Sequence, residues 1–149
     1  MKKIHPVRVM TWKEALPLAR PIREKVFIEE QGVARELEWD HRDALCDHAV
    51  AFDRHGRAIG AARLLPEARI GRMAVLKEWR GMGVGAALLA AMLARARHRG
   101  MTEVTLHAQK SAAGFYRRAG FRERGEEFQE AGIPHVEMVL NLGGSGNDG

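Results

Sequence analysis

The chain of 149 residues contains a single cysteine, Cys46, so no disulfide can form within it, and a reducing, cytoplasmic setting is expected. Aromatic residues are 6% of the total, with Tyr116 the only tyrosine, and their spacing fits no base-stacking motif. A nucleic-acid partner is therefore not expected, despite a net charge of +5. No stretch approaches the roughly 20 apolar residues of a membrane helix, so no membrane partner is expected. The start, Met1-Lys2-Lys3-Ile4-His5-Pro6, is basic but leads into no long apolar run, so no secretion signal is read. The seven histidines show no ligand spacing with cysteine, and no metal is expected. Internal repeats are also lacking.

What is present fits one ordinary globular domain: 46% hydrophobic and 29% charged residues. The domain is assigned to residues 1–142. Residues 143–149, Gly-Gly-Ser-Gly-Asn-Asp-Gly, have the composition of a flexible tail. Charge is uneven. Acids crowd Glu24, Glu29, Glu30, Glu36, Glu38, Asp40, Asp43 and Asp47, and bases crowd Arg95 to Arg99 and Arg117 to Arg124. That polarity suggests one end tolerant of cations and another that binds anions.

Hydrophobic periodicity orders the elements. His5 to Met10 reads as a strand, followed by a helix capped by Thr11 with Glu14 at capping-box spacing. Pro17 and Pro21 should break or re-aim that helix, and a second helical piece runs from Ile22 to Gln31, stopped at Gly32. Val33 to Asp47 reads as an irregular polar loop. His48 to Asp53 and Ala58 to Leu65 form a hairpin around Arg54-His55-Gly56-Arg57, and Ala68 to Leu76 adds a strand. Val84 to Arg99 is a long apolar helix ended by Gly100, to be buried against a sheet. Glu103 to Ala108 alternates as a strand, Ser111 to Ala119 is a short helix, and Phe121 to Glu130 and Ile133 to Leu142 are the last strands. The order is mixed α/β of the α+β kind, not a repeated βαβ winding.

The strongest chemical signal is Arg80-Gly81-Met82-Gly83-Val84-Gly85, between a strand and the long helix. Glycines let a backbone approach a ligand closely, and the first-turn N–H groups of a helix, Ala86 included, carry unspent positive character. Together they make a socket for a diphosphate, with Arg80 as a forked cation at its mouth. A P-loop would need Gly-Lys-Ser/Thr where the chain has Gly85-Ala86, and a dinucleotide fold would place its glycines differently and earlier.

Arg80-x-x-Gly83-x-Gly85 resembles the Q/R-x-x-G-x-G/A motif of the GNAT superfamily of N-acetyltransferases. Ala112, Tyr116, Gly120 and Phe121 are similar to a second motif of that family, with Gln109 where Asn is usual. Val26 to Val33, Leu106 to Gln109 and Glu130 to Met138 look like the ElaA-like subgroup, so the resemblance spans roughly Val7 to Leu140. It implies a mixed, mostly antiparallel sheet splayed between strands 4 and 5, with helices on both faces. It implies acetyl-CoA as co-substrate, its pyrophosphate on residues 80–86. Its pantetheine arm would lie on the strand Met73-Ala74-Val75, with Gln109 and Tyr116 also at the cofactor.

The implied reaction moves an acetyl group to a small-molecule or terminal amine by direct attack in a ternary complex. By resemblance, Tyr116 is the general acid; a phenol is protonated at neutral pH. The base is open among Glu30, Glu127 and His135, and His107 reads equally as a binding or a core histidine. Cys46 is not needed as a nucleophile and reads as a small packed residue. The clustered acids would draw a cationic acceptor. The alternative is a CoA-binding sensor or regulatory module without turnover. The sequence fixes no oligomeric state; a homodimer is compatible with it.

Overall fold

The computed structural model describes residues 5–143, so the tail assigned to residues 143–149 lies, apart from Gly143, outside the described residues. A seven-stranded sheet is built from β1 (Val7–Met10), β2 (Asp47–Phe52), β3 (Ala58–Leu64), β4 (Arg69–Val75), β5 (Glu103–Gln109), β6 (Arg122–Glu130) and β7 (Ile133–Asn141). The spatial order is β1-β2-β3-β4-β5-β7-β6, and every neighbouring pair is antiparallel except β4 and β5.

Side-chain alternation in the strands creates two buried faces. On β2, Ala49 and Ala51 join the main core under the helix α3 (Val84–His98), whereas Val50 and Phe52 face Trp12, Ala15 and Leu18 of α1 (Trp12–Arg23). Helices thus cover both faces. The apolar surface of α3 is spent on the sheet through Val84, Leu88, Leu89, Met92 and Ala96. The helix comes so close that a Cβ on Gly60 of β3 would meet Leu88 and Val84 side chains at 3.0 Å.

Pro17 and Pro21 do not break the first helix, contrary to the sequence expectation. The path runs on from α1 through widened turns at Glu24–Glu30, where Gln31 N reaches back five residues to Val26 O at 3.1 Å. Each proline removes one amide donor, yet the helix runs through both, and the widened spacing begins only beyond Arg23. Gly32 then ends it with a positive φ of 74°.

The segment read as a loop, Val33 to Asp47, is also more ordered than expected. It holds α2 (Arg35–Glu38) and a single turn at Asp43–Leu45 before β2 begins. Its acids turn inward onto arginines. Arg23 Nε donates to Glu38 at 2.7 Å and its Nη1 to Asp43 at 2.7 Å, and Arg63 reaches Asp40 at 2.6 Å and Asp43 at 3.0 Å. Arg23 is 1% exposed and lies over the Trp39 and Trp12 rings at 4.6 and 5.5 Å. Low-dielectric surroundings make this network expensive to break and make the segment's conformation specific.

Between Ala61 and Arg63 of β3 the partner strand β4 carries one extra residue, with Arg72 at φ 49°. An added residue inverts which side chains face which layer. Before it, Ile70 lies in the main core; after it, Met73 and Val75 pack there and Ala74 turns under Ile22 and Val26. The strained Arg72 is held by donating to the carbonyls of Leu37 (3.0 Å) and Glu38 (3.2 Å). Beyond this bulge the sheet opens. β4 and β5 pair only at Arg69↔Thr105 and Ile70↔Leu106, then part.

Candidate active site

Two features meet at the opening. The first is the start of α3. Gly83 caps the helix with φ 89°, a left-handed conformation that a side chain would resist. The first bond of the helix runs from Ala87 N to Gly83 O at 3.1 Å, so the N–H groups of Val84, Gly85 and Ala86 have no helical acceptor. His5 Nε2 lies 3.0 Å from Met82 O and steadies the loop from the side of β1.

The second is the free edge of β4. Leu76 N donates to Ile59 O at 3.0 Å, so position 76 faces β3, and by alternation positions 73 and 75 face away from it, toward the gap. Met73 and Val75 therefore present backbone groups for which β5 supplies no ladder. Ala74, grouped with them on sequence, does not: it pairs with Ala61 of β3 and is 2% exposed. Donors at the helix start and an unladdered strand edge fit an extended phosphorylated arm carrying amide groups.

Arg80 stands at this mouth but is not a loose cation. Its Nη atoms grip Glu30 at 2.6 and 2.8 Å, and its Nε donates to Val75 O at 2.9 Å. The hydrogen bond from Arg80 holds the Glu30 carboxyl below its usual value. A carboxylate so engaged is a poor proton acceptor. Glu127 is spent elsewhere, on exposed Lys110 at 2.7 Å.

A cleft of about 490 Å³ continues from the opening on the α1 face of the sheet, walled by Arg69 to Met73, by Leu106, His107 and Gln109, and by Tyr116 and His135. Tyr116 comes from α4 (Ala113–Arg118); its hydroxyl has Met73 Sδ at 3.8 Å, and burial pushes its pKa up to about 12. The Gln109 amide donates to Gln31 Oε1 at 2.9 Å across the cleft. Two histidines are fixed by their Nδ1 atoms: His107 by Glu130 Oε1 at 2.8 Å and His135 by Ile133 O at 2.7 Å. Both partners accept, so Nδ1 carries the hydrogen, and Nε2 is the ring nitrogen that bonds no described residue. Phe128 lies between them, edge-on to His107 and stacked on His135.

Several of the acids expected to make this end negative are answered by bases, although Glu29 and Glu36 make no ion pair with any described residue. Glu38, Asp40 and Asp43 are opposed by Arg23, Arg63 and Arg72. The Coulomb case for a cationic acceptor is weaker to the extent that Glu38, Asp40 and Asp43 are already paired. The cleft's arginines and the His107–Glu130 pair were not singled out on sequence. The available signal was charge inside apolar strands, as at Arg63 within Ala58–Leu64. Cys46 is 6% exposed, donates to Arg42 O, and has its thiol pushed up to about 11 by burial, as befits a packed residue. Among the described residues no group of three or more His, Cys, Asp or Glu could hold a metal, and no helix is long and apolar enough to cross a membrane.

A parted parallel strand pair beside a bare helix start, leading into a cleft walled by His107, His135 and Tyr116, suits an extended phosphorylated ligand. Residues 22–142 match the family described as the Acetyltransferase (GNAT) domain, and the chain belongs to that family. It is therefore an acyl-CoA-dependent acyltransferase. The uncharacterised N-acetyltransferase YjcF of Bacillus subtilis is 36% identical over 131 residues, 85% of this chain and 93% of that protein. Escherichia coli ElaA superposes with a TM-score of 0.81 at 26% identity, over 90% of this chain and 98% of its own. A Lactobacillus plantarum protein, provisionally described as an N-acetyltransferase, gives 0.85 at 31% identity, over 94% and 99%.

Proposed function

We propose that the protein transfers the acetyl group of acetyl-CoA directly to a small amine held in the cleft. The observation that carries this reading is the parting of β4 from β5 beside the bare start of α3, where a Cβ on Gly85 would meet Phe115, the neighbour of Tyr116, at 3.5 Å. Acetyl-CoA, when bound, supplies an activated thioester. The first-turn N–H groups of Val84, Gly85 and Ala86, with Gly81, Met82 and Gly83 giving the loop its shape, bind the pyrophosphate. The backbone of Met73 and Val75 orients the pantetheine arm, and Gln109 closes the wall opposite. Arg80 acts through Glu30 and Val75 by fixing the loop against β4, so Glu30 is a holder and not the base.

His107 is the base favoured by geometry. Glu130 orients its ring, as a carboxylate does in other base–orienter pairs, and Nε2 is left to take a proton from the amine. His135 is its nearest alternative, fixed in the same way through a carbonyl. Tyr116 holds a proton at Oη, available to the departing thiolate, and its raised pKa keeps that proton in place. No protein nucleophile is required.

Calorimetry on the wild type and Gly83→Asp tests the socket. The variant is expected to bind acetyl-CoA more than 10-fold more weakly, because a carboxylate would face the pyrophosphate. Space stands open where a Gly83 Cβ would lie, but the left-handed φ of 89° strains any side chain there, so urea unfolding of the variant is measured alongside to separate loss of the socket from loss of the fold. Thiol release on adding an amine panel tests turnover. Unchanged affinity in the variant would remove the socket, and tight binding without thiol release from any amine would remove the transferase.

A further inference from the structure

Among the described residues one cleft arginine, Arg69, has no carboxylate within ion-pair distance, although Glu67, two positions earlier, feels its charge. Arg42 is bound twice by Glu67, at 2.7 and 2.8 Å, and Arg63 and Arg72 share Glu38, Asp40 and Asp43 with Arg23. Three arginines therefore face three carboxylates inside the network, and Arg42 is satisfied outside it. Arg69, which lines the same cavity, makes no side-chain hydrogen bond or ion pair with any described residue, and its Nε is sealed from water without a partner. Arg63, 3% exposed and also on the cavity wall, has its Nε in the same condition. The two lie on one face of neighbouring strands. Leu65 N bonds Arg69 O at 2.8 Å, and Arg63 is two residues back from Leu65, the diagonal position. The sealed Nε atoms are not themselves open to the cavity; the Arg69 Nη groups, which bond no described residue and are not sealed, are the donors that an acceptor atom from a ligand would meet.

We propose that Arg69 receives a carboxylate of the acceptor, so that the substrate class is a small amino-carboxylate. This rests on the acetyl-transfer reading above. A guanidinium offers a fork matched to a carboxylate, and a single guanidinium with free Nη donors suits a monoanion. A phosphate dianion would leave a charge unmatched beside Glu38 and Asp40. The register also places the opposite end of such a molecule. Arg69 stands beside Thr105 in the parallel pair, and His107 is two residues further along β5, roughly 7 Å at strand rise. The amine end would then lie toward His107 and Glu130, and the carboxylate end toward Arg69.

The experiment compares matched amines on the full chain: amino acids, their carboxamides and their phosphonate analogues, read as kcat/KM by thiol release. The wild type should favour the carboxylate member by about 10- to 100-fold, the range of a charge-assisted pair. Arg69→Met should bring the carboxylate-to-amide ratio to about one, mainly through KM, and Arg69→Lys should restore part of it. Acetyl-CoA affinity, read by calorimetry, separates loss of this contact from loss of fold. A second readout needs no turnover: an N-acetyl amino acid, the expected product, should bind the wild type at least 10-fold more tightly than Arg69→Met. Failure of every amine to react, with that binding difference intact, would sink the transferase reading and keep the anion site. A preference for amides or phosphonates, or equal product binding by both proteins, would overturn the proposal.

Discussion

Tyr116 keeps its proton across the whole physiological range because desolvation disfavours the phenolate. Its hydroxyl has only the weak acceptor Met73 Sδ nearby, so Tyr116→Phe should fold normally and bind acetyl-CoA as before. Its kcat is expected to fall about 100-fold or more across pH, measured by steady-state thiol release. Full kcat in that variant would remove the acid assignment. At this scale the sequence was partly readable. The glycine loop and Tyr116 are local patterns whose chemistry does not depend on distant partners. Arg69, Glu130 and the fate of Glu30 were not readable, because each is defined by residues dozens of positions away. Glu30 looked like a candidate base until Arg80, 50 positions on, closed around it.

Among the elements, the first helix shows how propensity gives way to packing. Pro17 and Pro21 should have ended it, yet the chain continues in widened turns and Arg23 is delivered to the buried network. Arg23→Met would leave Glu38 and Asp43 each short of a partner. A loss of about 3–5 kcal/mol is expected by urea unfolding, the usual cost of breaking a buried pair. A loss below 1 kcal/mol would show that Arg63 and Arg72 compensate. The bulge at Arg72 is the other element that no local pattern announced. Its left-handed residue is stabilised by carbonyls of α2, which was itself read as loop. The strands and α3, by contrast, were legible nearly to their ends, since alternation and an apolar helix surface are written locally.

For the molecule as a whole, acid stability follows from the same groups. His48 is buried and bonded through Nε2 to Asp43 O at 2.8 Å, and burial lowers its pKa. The unfolded chain then takes up that proton first, below about pH 6.5, so stability begins to fall there. For Asp40 and Asp43 burial works upward, but hydrogen bonds and charge from Arg63 and Arg23 outweigh it and lower both. Their contribution is complete above about pH 4 and is lost as pH falls through their folded values. Burial raises Glu38 and gives a smaller opposing slope. Urea midpoints from pH 7 to 2 should therefore show a shallow decline, then a steep one. His48→Gln should abolish the first stage alone, and a flat profile down to pH 3 would contradict the network's role.

The fold class was legible because strand order and the mid-chain glycine loop together leave few architectures. The acidic segment misled because composition counts charges and cannot say which are already answered.

The two ends of the described chain differ in what lies beside them. His5 rests against the carbonyl of Met82, on the loop that begins α3, while Asn141 pairs with Glu103 at the opposite end of β5, and Leu142 N bonds Thr102 O at 2.8 Å. A purification handle or fluorescent fusion joined directly to His5 would stand beside the loop proposed to hold the coenzyme's pyrophosphate. One joined after residue 143 departs from the far pole, which makes it the attachment point for immobilised assays.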